Sequence, residues 1–540
     1  MSYERLSPQD AMFLHLENEH QPMHVGSLAY LEGEPFFGDD GRFRLGAVRD
    51  RIVSRLHLVP RFRKRIMPVP LEQGRPVWVD DEQFDPAYHV RLTALPRPGS
   101  EDQLLGLMGR LQAQQLDRRR ALWEIWFVEG LKDNRVAIIQ KTHHCLTDGV
   151  SGIDVATVLL DLEPNPPPTK SPEWDPEPPP EPGELLVDSL VERVVEPTEL
   201  LRSVRAAIRI PQQAGEKLAA GRLAGLVETV RDIGGDRLSG LVDTAREVGG
   251  GRPDTPLNVP VTPHRRMELT RVRLDQVKAI KRAAGCTIND VVLAACSIAL
   301  RSFLQHREAL EPGMVLKAMV PVSVRDETQQ MALGNRVSML VAELPVDEPD
   351  PLEQLEFVSR HMGAAKGSGQ RGGGDALVAI AGYAPPTLLG LAARLAPRAL
   401  PVNTVITNIP GPQFPLYCMG ARVLEAFPYV NLVDNLAMII AVISYDGQLN
   451  FGVSADRSAV PDVDLVARRI GEAFVELAAA LQLDQPVEER HPAKKSAAKE
   501  QPVPKKTAAK KQPAAKKRAA KKPATKKVAA KKVAGKKVAS

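Results

Sequence analysis

The sequence contains few cysteines, and none of them lies in a paired motif. The 540 residues include four cysteines, far apart along the chain: Cys145, Cys286, Cys296 and Cys418. This distribution excludes a disulfide scaffold and the usual zinc-binding patterns, and it is typical of proteins kept in a reducing cytoplasm. We therefore expect neither a metal site nor structural disulfides.

A targeting segment and a long apolar run are missing as well. The first residues lack a basic region followed by an apolar core, so no signal peptide is predicted. No uncharged apolar run reaches the ~18–20 residues of a membrane-spanning helix. The nearest run, 376–400, contains two adjacent prolines and two arginines, and it predicts a surface-active helical hairpin. A G-x-S-x-G elbow and a Walker motif are also absent, which favours chemistry without a covalent enzyme intermediate.

Charge is distributed unevenly along the chain. Residues 491–540 hold seventeen lysines and Arg518 against Glu500, a net charge of +17, so residues 1–490 carry −12 of the overall +5. The lysine pairs alternate with alanines and leave no apolar stripe, so the tail is predicted to be disordered. Ten prolines between Pro164 and Pro182 predict an extended tether, and the amphipathic segments after it predict short helices.

The most informative stretch runs from Thr142 to Gly149 and reads Thr-His-His-Cys-Leu-Thr-Asp-Gly. A β-branched run ahead of it predicts a buried strand, and helical spacing behind it predicts a helix from about Val150. Neighbouring strand residues point to opposite faces, so only one of His143 and His144 is expected to face a cleft. Asp148 follows across the turn and can orient a ring that accepts a proton. The alternative is a pair of purely structural histidines.

This string resembles the His-His-x-x-x-Asp-Gly motif of the bacterial wax ester synthase/diacylglycerol acyltransferase family. That family belongs to the CoA-dependent acyltransferases built like chloramphenicol acetyltransferase. Further segments resemble family motifs in the same order along the chain: Leu6–Leu14, Ala121–Trp123, Asn289-Asp290 and Asn408–Pro412. The second of these departs from the family's Pro-Leu-Trp by having Ala121. The resemblance covers roughly residues 1–165 and 256–480.

The resemblance implies an α/β fold of two chloramphenicol-acetyltransferase-like halves with mixed sheets around a central channel. The expected segments are an N-terminal half (1–163), a Pro-rich helical linker (164–255), a C-terminal half (256–484) and a disordered basic tail (485–540). It also implies catalysis by His144 as general base, with Asp148 orienting it and His143 and Gly149 completing the motif. Three further polar residues are expected to border the substrate cleft: Asn289, Asp290 and Asn408. Capping of a helix that starts at Thr287 is the alternative for the first two. Local signals also predict a helix capped by Ser7 with Pro8 at its first position, and a β-hairpin across Asp446-Gly447.

The implied reaction is acyl transfer from a long-chain acyl-CoA to diacylglycerol or a fatty alcohol, with no cofactor. The donors for the oxyanion stay open between the backbone near Gly149 and the side chain of Asn408. Two rivals are a related acyltransferase with another thioester donor or another acceptor, and a non-catalytic tether of lipid inclusions or the nucleoid. We expect a cytoplasmic protein on the inner membrane face or lipid inclusions. The 491–540 tail resembles the lysine-alanine tails of histone-like bacterial proteins and is expected to bind anionic lipid or nucleic acid unspecifically. A merely solubilising tail is the alternative.

Overall fold

The computed structural model describes residues 3–146, 158–167, 171–195, 252–323, 337–367 and 401–483. The predicted hairpin at 376–400, most of the segment after Val195 and the basic tail lie outside these residues. The strands of the described residues are β1 (Glu4–Arg5), β2 (His24–Glu32), β3 (Lys64–Met67), β4 (Val77–Asp80), β5 (Val90–Ala94), β6 (Trp123–Glu129), β7 (Arg135–His143), β8 (Arg265–Arg273), β9 (Leu316–Ser323), β10 (Val337–Leu344), β11 (Thr404–Ile409), β12 (Tyr417–Cys418), β13 (Ala421–Tyr429), β14 (Met438–Tyr445) and β15 (Gln448–Asp456).

Nine α-helices of the described residues lie before, between and after groups of these strands. They are α1 (Pro8–Leu16), α2 (Leu45–Val53), α3 (Pro86–His89), α4 (Glu101–Ala113), α5 (Pro182–Val195), α6 (Leu274–Ala284), α7 (Ile288–His306), α8 (Pro351–Gly367) and α9 (Val463–Ala480). The sequence signals for two helix starts are confirmed. Ser7 caps α1 by accepting a hydrogen bond from the main-chain N–H of Asp10, with Pro8 at the first helical position.

The N-terminal half is built on a six-stranded sheet in the order β12-β13-β2-β7-β6-β5. β2 and β7 run antiparallel over nine residue pairs, and His24 lies opposite His143 at one end of this ladder. β5 joins β6 in parallel, so the sheet is mixed. The β-branched run of 135–140 thus forms the predicted buried strand, and the histidine pair lies where this interior strand ends.

The C-terminal half is built on a second six-stranded mixed sheet in the order β10-β9-β11-β14-β15-β8. The predicted hairpin across Asp446-Gly447 is confirmed, because β14 and β15 pair antiparallel from Met438 opposite Ala455 to Tyr445 opposite Gln448. Gly447 has a φ of 83°, a backbone conformation that glycine adopts without strain. The expected α/β fold with mixed sheets in two halves is therefore confirmed.

The first sheet includes two strands, β12 and β13, that come from the second half of the chain. β13 belongs to the second half in sequence, yet it pairs with β2 of the first sheet. It also crosses β15 closely: Asn450 donates a hydrogen bond to the main-chain carbonyl of Ala426 at 2.9 Å. Arg271 on β8 binds Glu425 on β13 at 2.9 Å, and its guanidinium lies 4.8 Å from the centre of the Phe427 ring. The halves defined by sequence are therefore locked together by residues 417–429.

The helix α7 forms the centre of the larger hydrophobic core. Thr287 accepts a hydrogen bond from the N–H of Asp290 at 3.2 Å, and the Asp290 carboxylate accepts one from the N–H of Thr287 at 2.9 Å. This reciprocal cap confirms Thr287 as the predicted start of the helix. Among the described residues, α7 is long and apolar enough to cross a membrane, but most of it is buried inside the protein. It is therefore a core helix.

The described part of the linker, residues 171–195, lies against the N-terminal half. Residues 171–180 contain neither helix nor strand, which agrees with an extended tether. The guanidinium of Arg63 lies 4.9 Å from the centre of the Trp174 ring, and the N–H of Glu177 donates to the carboxylate of Asp80 at 3.1 Å. Leu185 of α5 is fully buried against the three-stranded sheet β1-β4-β3. This part of the linker therefore covers the core.

Candidate active site

The histidine pair lies where β7 ends. His143 is the last residue of the strand, and a single 3-10 turn begins at His144. The main-chain N–H of His144 donates to the carbonyl of Met23 at 2.8 Å, and that of His143 donates to the carbonyl of Leu122 at 3.0 Å. Both histidines are thus held by neighbouring chain segments on either side, and their backbone positions are fixed by the sheet.

The imidazole of His143 is committed to structural contacts. It is fully buried, and its Nδ1 accepts a hydrogen bond from the main-chain N–H of Cys145 at 3.1 Å. The proton of the neutral ring therefore lies on Nε2, which faces the carboxylate of Glu17 at 3.5 Å. This separation exceeds a normal hydrogen bond, so the contact is mainly electrostatic. Neither nitrogen of His143 is placed to take a proton from a substrate.

Glu17 connects several groups around the histidines. Its buried carboxylate lies 3.3 Å from Nε2 of His24, accepts a hydrogen bond from the N–H of Met23 at 3.2 Å, and binds Arg118 at 2.7 Å. Burial alone would raise the pKa of Glu17, but the interactions with His143 and His24 outweigh it and hold this pKa well below its usual range. Glu17 is thus a permanent negative charge inside the N-terminal half.

The imidazole of His144 differs from that of its neighbour. The residue is partly exposed, but Nδ1 of its ring is buried. The ring lies face to face with the ring of Phe13, with centroids 3.9 Å apart and planes 21° from parallel. Burial lowers the pKa of His144 to about 4, and a hydrogen bond between the ring and its own main chain only partly offsets this effect. At neutral pH the ring is therefore uncharged and able to accept a proton, as a general base requires.

The remaining predicted site residues have separate environments. Asp148 and Gly149 lie outside the described residues, so their assigned roles stay predictions. Asp290 caps α7 and also accepts a hydrogen bond from the hydroxyl of Ser359 at 3.4 Å, which fits the capping alternative. The side-chain nitrogen of Asn289 is buried without a hydrogen bond to any described residue. A role for either residue in the substrate cleft stays a prediction.

Asn408 belongs to the second sheet. It lies on β11 opposite Val442 of the parallel strand β14, and its side chain is partly exposed. The strand ends at Ile409, directly before the Pro-Gly-Pro turn that the sequence predicts. A role for Asn408 at the wall of a channel shared with His144 stays a prediction, as does the channel itself.

Among the described residues, neither an activated cysteine nor a metal-binding cluster is present. All four cysteines are free thiols, and burial raises the pKa of each, to about 12 for Cys418, which disfavours the reactive thiolate. Across the described ranges, no group of three or more histidine, cysteine or acidic side chains is arranged to hold a metal ion. That the reaction needs no cofactor stays a prediction.

Sequence reasoning missed the residues that surround the histidines. Glu17, His24 and Arg118 were not predicted, because the local pattern around each gives no signal for a contact with residue 143. Phe13 did have a signal, since it is the last residue of the Leu-Ser-x-x-Asp-Ala-x-Phe motif in the N-terminal segment. Its contact with His144 explains physically why an aromatic residue in α1 belongs to the same site.

Two family models match most of the described chain. Residues 6–292 match the wax ester synthase/diacylglycerol acyltransferase catalytic domain, and residues 333–478 match the C-terminal domain of these proteins. The chain is 34% identical over 482 residues to the probable diacylglycerol O-acyltransferase tgs1 of Mycobacterium tuberculosis, covering 88% of this chain and 96% of that protein.

Solved structures show the same likeness. The wax ester synthase/diacylglycerol acyltransferase from Marinobacter aquaeolei VT8 superposes with a TM-score of 0.63 at 29% identity, over 89% of this chain and 100% of that one. The trichothecene 15-O-acetyltransferase of Fusarium sporotrichioides has a TM-score of 0.52 at 11% identity, over 88% of this chain and 95% of that one. The second likeness concerns the fold alone.

Proposed function

Because the chain belongs to the wax ester synthase/diacylglycerol acyltransferase family and is thus an acyltransferase, we propose that it transfers a long-chain acyl group from CoA to diacylglycerol or a long-chain alcohol, with His144 as general base. The observation that carries this assignment is the contrast between the two histidines. His143 has both ring nitrogens directed at fixed groups, whereas His144 is half-buried and uncharged at neutral pH.

The proposed step begins when His144 takes the proton from the acceptor hydroxyl. The hydroxyl oxygen forms a bond to the thioester carbon and gives a tetrahedral oxyanion. The carbon–sulfur bond then breaks, and the CoA thiolate leaves and takes the proton back from the imidazolium. The products are an ester and free CoA. The backbone near Gly149 and the Asn408 side chain are the proposed donors to the oxyanion, and Asp148 is proposed to orient the motif.

Acyl transfer from palmitoyl-CoA, with diacylglycerol and hexadecanol offered in parallel, tests this function. His144→Ala is expected to lower kcat by about 10²–10⁴-fold, the usual contribution of a general base, while the fold is retained. His20→Ala is the matched control, since its side chain is 56% exposed and lies outside the site. Normal turnover by His144→Ala would refute the assignment. No product from the natural protein with either acceptor would point to a carrier-protein thioester as donor.

The basic tail supports a separate proposal about location. We propose that residues 491–540, with their net charge of +17, hold the enzyme at an anionic lipid surface of the inner membrane face or lipid inclusions. Each basic residue near such a surface contributes about 1 kcal/mol of attraction. Deleting 491–540 should abolish co-sedimentation with vesicles of anionic lipid while turnover in detergent is kept. Binding to duplex DNA instead of vesicles would favour the nucleoid tether.

A further inference from the structure

The contact between Phe13 and His144 is positioned by α1, whose Ala11 and Leu14 belong to the hydrophobic core of the N-terminal half. α1 is nine residues long, and its second turn lies on the 3-10 turn formed by His144, Cys145 and Leu146. The Phe13 ring covers one face of the His144 ring at a centroid distance of 3.9 Å. It is only partly buried, so filling the core does not by itself account for its place.

We propose that Phe13 is a positioning residue whose ring face stabilises the imidazolium that His144 becomes during acyl transfer. This inference rests on the proposed function, because it requires His144 to carry a proton between the two chemical steps. A cation within about 6 Å of an aromatic ring centre is attracted by the negative face of that ring. The neutral imidazole of the resting enzyme lacks this attraction. The contact is therefore stronger after proton transfer than before it, which is the condition for lowering a barrier.

Charged groups near His144 must be considered beside the aromatic face, because they too act on an imidazolium. Glu17 and Arg118 form an ion pair at 2.7 Å and offset each other. His143 is directed away from this contact, since its Nδ1 accepts the hydrogen bond from Cys145. Asp10 is a buried carboxylate on α1 that raises the pKa of the Cys145 thiol. Asp10 and Glu17 both carry the sign to assist, so the test must change the aromatic face and leave both carboxylates intact.

Stepwise fluorination of the Phe13 ring meets this condition. Phenylalanine carrying one, two or three fluorine atoms keeps nearly the same shape but has a progressively weaker negative face. With palmitoyl-CoA and the preferred acceptor, log kcat is expected to fall in step with the number of fluorine atoms. The total loss should be roughly threefold to thirtyfold, the range of a partly desolvated cation–π contact. The KM for palmitoyl-CoA is expected to stay constant.

The protein contains a control of nearly identical geometry. Phe357 stacks on His361 with centroids 3.9 Å apart and planes 22° from parallel, on α8 and outside the proposed site. Fluorination at Phe357 should leave kcat unchanged. Two ordinary variants extend the test: Phe13→Trp should retain turnover, whereas Phe13→Leu should lower kcat without raising KM.

The outcomes separate this inference from the proposed function. A flat response of kcat to fluorination at Phe13, with His144→Ala inactive, would overturn the role of the aromatic face alone. Full activity of His144→Ala would overturn the proposed function and this inference with it. An equal loss after fluorination at Phe13 and Phe357 would show a general effect of the modified residue, and it would also overturn the inference.

Discussion

The carboxylate of Glu17 lies 3.5 Å from Nε2 of His143, although 126 positions separate the two residues along the chain. The same carboxylate binds Arg118 and the main chain of Met23. Met23 in turn accepts the hydrogen bond that fixes the backbone of His144. Glu17 therefore supports the proposed base in two ways: through the imidazole of His143 and through the main chain of Met23, directly before β2.

Replacement of Glu17 by glutamine is the first test of this support. The amide keeps the shape of the side chain but removes the charge that faces His143, His24 and Arg118. Hydrogen bonds to charged groups contribute about 1.5–3 kcal/mol, so kcat is expected to fall about tenfold or more. The control is Glu19→Gln, at an exposed position. Equal kcat values for both variants, measured on folded protein, would show that Glu17 does not position the site.

The sequence predicted those features that depend on neighbouring residues. The cap at Thr287, the turn at Asp446-Gly447 and the strand before His143 each follow from short-range signals, and all three are confirmed. The contacts of Glu17 could not be predicted in this way, because they form only when α1, β2 and β7 meet. The transfer of β13 into the first sheet is equally non-local, since its sequence reads like any other strand.

The pH dependence of activity tests the protonation state of the base. A general base works only when unprotonated, and burial lowers the pKa of His144 to about 4. The value of kcat/KM, which reports the free enzyme, should therefore stay level from about pH 8 down to about pH 5 and decline only as the pH approaches 4. A rapid-mixing assay with palmitoyl-CoA measures this before acid unfolding. A half-maximal rate near pH 6.5, the value of an unperturbed histidine, would contradict the prediction.

A second pH effect concerns stability and involves His89. This fully buried ring lies between Phe84 and Trp123, with ring centroids at 4.9 and 4.5 Å, and burial lowers its pKa to about 4. Below about pH 6.5 His89 is protonated in the unfolded chain but still neutral in the folded protein. The free energy of unfolding therefore falls as the pH drops from 6.5 towards 4. Above 6.5 this residue causes no pH dependence.

The prediction is that His89 makes the protein sensitive to mild acid. Between about pH 7.5 and pH 5, one such histidine costs about 2 kcal/mol of unfolding free energy. His89→Gln is expected to be less stable at both pH values, because it loses the stacked ring and the bond to the Trp123 carbonyl, but its loss between them should be smaller by that amount. Urea unfolding at the two pH values measures the difference. Equal losses in the natural protein and the variant would contradict it.

The crossing of β13 over β15 predicts a large difference between two glycine substitutions. A Cβ atom at Gly452 would lie 2.1 Å from the main-chain carbonyl oxygen of Pro428, so Gly452→Ala must force the two sheets apart. Overpacking in a core usually costs about 1–3 kcal/mol, and the upper end is expected here because the obstacle is backbone. Gly363→Ala on α8 meets nothing within 4 Å and should stabilise the protein by about 0.5–1 kcal/mol. Thermal unfolding of both variants measures this contrast, and a Gly452→Ala protein as stable as the natural one would mean that the sheets can separate at this point without cost.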